Sequence, residues 1–110
     1  MALNSAEFHD LIDAAQNAVE DVLDDSDLDV DVENAGGVLT LRFANRSQVI
    51  LSRQEALGQL WVAARSGGFH LNYDDSAARW YCPASDEALG ELLSRVVEEQ
   101  TGEQLDFANL

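Results

Sequence analysis

The spacing of apolar residues changes period twice along this chain, and that pattern restricts the fold more than any other feature. Phe8, Leu11, Ile12, Ala15, Val19, Val22 and Leu23 recur at helical spacing and define one buried stripe. From Leu28 the period is two: Leu28, Val30 and Val32 point one way, and Asp29, Asp31 and Glu33 the other, as in a half-buried strand. Strand-like segments follow at Val38 to Phe43, Gln48 to Ser52, Gln59 to Arg65, Gly68 to Asp74 and Arg79 to Cys82. The helical period then returns in Leu89, Leu92, Leu93, Val96 and Val97. The connections, among them Asn34-Ala35-Gly36-Gly37 and Asp75-Ser76-Ala77, are short enough to favour antiparallel neighbours. The chain therefore reads as one α+β domain over residues 1–110, with two terminal helices packed on one face of a five- to six-stranded antiparallel sheet.

Local signals place the helix ends. With Asn4 as N-cap, Glu7 closes a capping box and Leu3 and Phe8 form a hydrophobic staple, so the first helix should run from Ser5 to Asp24 or Asp25. Pro83 stops the last strand, Ser85 is the expected cap of the second helix, Asp86 and Glu87 suit its positive end, and Gly102 ends it.

Charge is the second constraint. No basic residue precedes Arg42, while eleven carboxylates do, and eight of them fall between Glu20 and Glu33. The net charge is −15 and the chain has no lysine, which argues against nucleic acid or an anionic membrane as partner. A metal ion or a basic protein surface is the electrostatic complement. On the first helix Asp13, Glu20 and Asp24 lie near one face, and Asp21 and Asp25 are one turn apart on an adjoining row. Each such like-charge pair costs about 0.2–0.5 kcal/mol, and acids in the last turn also oppose the helix dipole. A ridge this costly serves more than solvation, and the outward acids of the first strand should continue it.

Hard carboxylate donors without neighbouring cysteine suit Mg, Ca, Mn or iron. Counted from Asp25, the sixth position of an EF-hand loop is Val30 rather than glycine, so a caged calcium site is rejected in favour of weak, exposed, multi-site cation binding. His9 shares a helical row with Asp13 and can supplement a carboxylate site. Lone Cys82, directly after the aromatics Trp80 and Tyr81, reads as a small core residue. No catalytic constellation is present: there is no G-x-S-x-G, no phosphate-cradling glycine loop, and the two histidines, His9 and His70, lie in different elements. Without a membrane-length apolar run or a leader-like N-terminus, the expected location is the cytoplasm.

Alternation leaves Trp61 open. Leu60, Val62 and Ala64 form one face of the fourth strand, so Trp61 either stands on the solvent face among Gln48, Gln59, His70 and Asn72 or is core in a register shifted by one.

These residues also carry a resemblance. Phe8-His9, Val19-Glu20-Asp21, Leu23-Asp24-Asp25, the acidic alternation from Asp27 to Glu33, Gly36-Gly37-Val38-Leu39-Thr40, Ser52-Arg53-Gln54-Glu55, Gln59-Leu60-Trp61-Val62-Ala63 and Gly67-Gly68-Phe69-His70 together resemble the bacterial frataxins, in order and over nearly the whole chain. Ala56 departs from the proline that the family often has after the Arg-Gln-Glu triplet. The resemblance implies a frataxin-like α/β sandwich that binds Fe2+ or Fe3+ weakly at its surface, where other divalent cations can substitute. It further implies a mostly monomeric protein that contacts the cysteine desulfurase and the scaffold of iron–sulfur cluster assembly. The family's acidic ridge falls on Glu20, Asp21, Asp24, Asp25, Asp27, Asp29, Asp31 and Glu33, with Asp21, Asp24 and Asp25 also meeting the desulfurase. Its exposed sheet tryptophan falls on Trp61, with Gln54, Gln59 and His70 as neighbours. An iron-dependent adaptor is thus the leading expectation, ahead of a ferroxidase and of an acidic decoy that needs no iron.

Overall fold

The computed structural model describes residues 4–107. Helix α1 spans Ser5–Asp24 and begins with the capping box: the Glu7 N–H donates to Asn4 Oδ1 at 2.8 Å, and the Asn4 N–H points back to Glu7 Oε1 at 3.5 Å. The staple residue Leu3 lies outside the described residues. Phe8, Ile12, Val19 and Leu23 are buried, as the stripe requires, and so is Gln16, a polar residue within it. Gln16 Nε2 donates to the carbonyls of Gly37 and Leu51 at 3.0 and 3.2 Å, which fastens the helix to the sheet beneath it. At the end of α1 Ser26 turns the chain: its Oγ donates to the Leu23 carbonyl at 2.7 Å and accepts from the Leu28 N–H at 3.3 Å.

The strands are β1 (Val30–Ala35), β2 (Val38–Phe43), β3 (Gln48–Gln54), β4 (Gln59–Ala64), β5 (Gly67–Asp74), β6 (Arg79–Cys82) and β7 (Glu87–Ala88). They form one antiparallel meander in sequence order, so β1 and β7 are its edges. Gly36 and Gly37 make the two-residue loop of the first hairpin, both at positive φ, as that tight turn demands. Asn34 and Ala35, expected in this turn, belong to β1 instead. A side chain at Gly37 would also meet Arg53, with 2.9 Å between a Cβ and the Arg53 Cζ.

One sheet face carries Leu39, Leu41, Phe43, Val49, Leu51, Leu60, Val62, Leu71, Trp80 and Cys82, all buried. Onto it pack α1 and α2 (Leu89–Thr101), the latter through Leu89, Leu92, Leu93, Val96 and Val97. The two-helix, one-face architecture is therefore as expected. Phe107 completes the core beyond α2: it is fully buried, and its N–H donates to Ser94 Oγ at 3.1 Å. Gln100 closes the far end, where Nε2 donates to the Gln48 carbonyl and Oε1 accepts from the Arg65 N–H.

Three further expectations are corrected. Among the described residues the sheet has seven strands rather than five or six, because Glu87 and Ala88 pair with Cys82 and Tyr81. Consequently Ser85 is not the cap of α2. Asp86 takes a left-handed conformation (φ 55°), the chain extends through β7, and the helix starts at Leu89 with Glu91 Oε1 accepting from the Ala88 N–H at 3.0 Å. Third, β1 starts at Val30 and is exposed along almost its whole length. Val30 and Val32 do face the helix side, opposite Phe43 and Leu41, but Val32 is still 38% exposed because no described strand lies beyond it.

Glu87 and Arg95 tie β7 to α2 through two parallel bonds, Nε to Oε2 at 2.9 Å and Nη2 to Oε1 at 2.8 Å. The Arg95 hydrogen bonds hold the Glu87 carboxyl below its ordinary value of 4.5. A lowered folded-state pKa contributes stability that is complete above the unfolded value and is lost as pH falls through the folded one. Glu87→Gln is therefore expected to cost about 1 kcal/mol at pH 7. The difference from the native protein should shrink as pH drops below 4.5, which urea melts across that range will show. A difference that persists at low pH would assign the loss to packing instead.

Candidate cation- and partner-binding surface

The C-terminal half of α1, the turn after it and β1 carry all eight ridge carboxylates. Val19 and Leu23 point into the core, which turns Asp21, Asp24 and Asp25 outward, while Glu20 is half-buried beside the sheet. Asn34 Nδ2 reaches Glu20 Oε1 at 3.5 Å and so joins α1 to the helix side of β1. Asp31 and Glu33 leave β1 on the opposite side. Asp31 stands across from Arg42, and Glu33 Oε1 meets Arg42 Nη1 at 3.5 Å. The acids thus border both faces of the sheet edge, and the exposed Asp25, Asp27 and Asp29 connect the two banks.

That connecting turn forms one wall of an open groove of about 590 Å³, whose other walls include Asn45, Thr101, Glu103 and Leu105. Glu103 is a carboxylate that sequence spacing did not associate with the ridge, since it comes from the far end of the chain. Among the described residues no three His, Cys, Asp or Glu side chains converge closely enough to hold a metal ion. A hard cation here would bind one or two carboxylates and keep most of its water, a geometry that oxygen-seeking ions accept. His9 is elsewhere: its Nε2 lies 2.5 Å from Glu55 Oε1, and Glu55 also takes Arg53 Nε at 3.3 Å. It sits about 16 Å from Glu20 along α1 and is not part of the ridge.

The second surface is the uncovered sheet face. Because Leu60 and Val62 are buried, Trp61 must project to the other side, where it is half-buried. Its ring stacks on that of His70, its cross-strand partner, with centroids 4.2 Å apart and planes 11° from parallel. Trp61 Nε1 donates to Gln59 Oε1 at 2.8 Å, and Gln59 Nε2 donates to Asn72 Oδ1 at 3.1 Å. Gln54 continues this row and donates to Ser52 Oγ at 3.2 Å. Beside His70 a shallow groove of about 300 Å³ runs past Gln59, Asn72 and Pro83. The four expected partner residues Gln54, Gln59, Trp61 and His70 are thus neighbours on one face, with the indole held by a stack and a hydrogen bond.

A model of the frataxin-like domain matches residues 1–103 of this chain. The chain belongs to the frataxin family. Frataxin relatives extend over its whole length. The iron-sulfur cluster assembly protein CyaY of Stutzerimonas stutzeri (strain A1501) is 64% identical over 110 residues, which make up all of both chains. The solved frataxin from Psychromonas ingrahamii is 32% identical with a TM-score of 0.88, covering 96% of this chain and 99% of its own. A trimeric frataxin from the yeast Saccharomyces cerevisiae, complexed with ferrous, shares the fold at 21% identity and a TM-score of 0.68, covering 94% of this chain and 92% of its own.

Proposed function

We propose that this frataxin is an iron-dependent adaptor of iron–sulfur cluster assembly. It binds Fe2+ or Fe3+ weakly through Glu20, Asp21, Asp24, Asp25, Asp27, Asp29, Asp31 and Glu33, and it docks Asp21, Asp24 and Asp25 on a basic face of the cysteine desulfurase. The observation that carries this reading is the exposed, unconverged set of carboxylates along α1 and β1, which suits exchangeable cations and a basic surface better than a permanent metal centre. Two relatives support it, one named for iron–sulfur cluster assembly and one crystallised with ferrous iron. An adaptor requires no active site. No helix of the described residues is long and apolar enough to cross a membrane.

The open sheet face is assigned to the scaffold protein, with Trp61 as anchor and Gln54, Gln59 and His70 around it. Trp61→Arg is expected to weaken scaffold binding at least about tenfold while leaving desulfurase affinity within a factor of two, as titration calorimetry with each partner would measure. Equal losses for both partners would merge the two surfaces into one. The adaptor reading itself is tested by an NMR titration with ferrous iron and then with the desulfurase. Amide shifts confined to residues 20–33 in both titrations support it, and an iron response elsewhere overturns it.

A further inference from the structure

We propose that the free edge of β1 accepts a short, extended, basic segment of a partner protein as an eighth strand of the sheet. The inference rests on reading the acidic ridge as a partner surface and specifies how part of that surface is used. β1 is six residues long and among the described residues pairs only with β2, so about three of its residues direct N–H and C=O groups outward with no described strand to receive them. An unpaired edge of that length is a template for another strand.

The side chains define which strand fits. On the outer sheet face β1 presents Asp31 and Glu33 two residues apart, and β2 already answers them with Arg42, which lies opposite Asp31 and 3.5 Å from Glu33. A strand added on the other side would place its own alternate residues at the same cross-strand distance, so lysine or arginine at every second position would meet these acids. Its intervening residues would fall on the helix side, where Val32 is 38% exposed and Val30 half-buried, and small apolar side chains would cover them. The required pattern is therefore basic-apolar alternation over about five residues. A second copy of this chain does not supply it. Pairing β1 with β1 opposes acids with acids, and no segment of the sequence has basic residues two apart. The same charges that protect the edge from self-association thus select a basic partner.

The test uses the intact protein and three fluorescein-labelled ten-residue peptides of one composition, five basic residues and five valines. In one peptide bases and valines alternate, in the second the bases form a block, and the third repeats the first with every backbone amide N-methylated. Anisotropy titrations at fixed ionic strength should show the alternating peptide binding at least tenfold tighter than either control, and NMR shifts should centre on residues 30–35. Equal affinity for all three peptides overturns strand addition, because charge alone would then explain binding, yet it leaves the ridge intact as a cation surface. Shifts confined to α1, or a dimer seen by sedimentation without peptide, would also overturn it. Failure of the ridge reading has a separate signature: desulfurase binding that survives charge reversal on α1.

Discussion

Replacing Asp21, Asp24 and Asp25 together with lysine is expected to lower affinity for the cysteine desulfurase at least about 100-fold. The three carboxylates are exposed at the end of α1, and the first described basic residue on the adjoining strands is Arg42. Against a basic surface each reversal exchanges an attraction for a repulsion. At contact distances an exposed pair is worth about 1 kcal/mol in high dielectric, so losing the three attractions alone reaches roughly the 3 kcal/mol that a 100-fold loss requires, and the new repulsions add to it. The fold should not suffer. Lysines in the last turn favour the helix dipole that the acids oppose, and like-charge crowding is relieved, so the melting temperature should stay level or rise. Native binding should also weaken steeply with added salt, whereas the variant should show little salt dependence. Calorimetry or interferometry with purified desulfurase decides it, and retained affinity in the triple variant would remove the ridge from the docking surface.

Phe107→Ala is expected to be the most damaging single change to stability, at about 3–5 kcal/mol. The ring is fully buried in the core that both helices share, and the half-buried Leu105 packs against the same cluster. Deleting it leaves a cavity and frees the segment after Gly102 from its seat against Ser94. A domain of this size has only about 5–15 kcal/mol of stability in total. The melting temperature should therefore fall by roughly 10–20 °C, and the urea midpoint with it. Phe107→Leu, which retains much of the volume, should lose far less. If both variants melt like the native protein, the C-terminal segment contributes nothing to the core.

The features legible in the sequence were those in which one local signal determined the outcome. The capping box at Asn4 and Glu7 marks the start of α1 because both partners lie within one turn. The inner faces of β2 and β3 follow from alternation, since burial on one face forces period two, while in β4 alternation alone leaves the side of Trp61 open and the burial of Leu60 and Val62 decides it. Where the outcome depended on a distant partner, the signal was weaker. Glu87 and Ala88 look like a helix start until the backbone of Tyr81 and Cys82 claims them for the sheet. Gln16 interrupts an apolar stripe, and only the carbonyls of Gly37 and Leu51 explain its burial. Phe107 lies outside any periodic segment and gives no local hint of its position. At the candidate site, charge located the acids but not their division between two sheet faces, which depends on strand register. His9 stands in the first turns of α1, far from the ridge, and its contact with Glu55, 46 residues away on a turn, has no local signal in the sequence.

The strict sequence order of the sheet carries a consequence for how the protein acquires its structure. Every hydrogen-bonded pair of strands is consecutive in sequence, so the meander can assemble as a series of local hairpins, each closing a loop of a few residues at little entropic cost. The helices differ: α1 and α2 stand at opposite ends of the chain yet seal the same face, a long-range event that yields little until the strands are in register. The hairpins should therefore form early and the terminal helices dock late. Core substitutions in α1 such as Ile12→Val should accelerate unfolding with little effect on the folding rate, while substitutions in the β3–β4 hairpin such as Val62→Ala should slow folding itself.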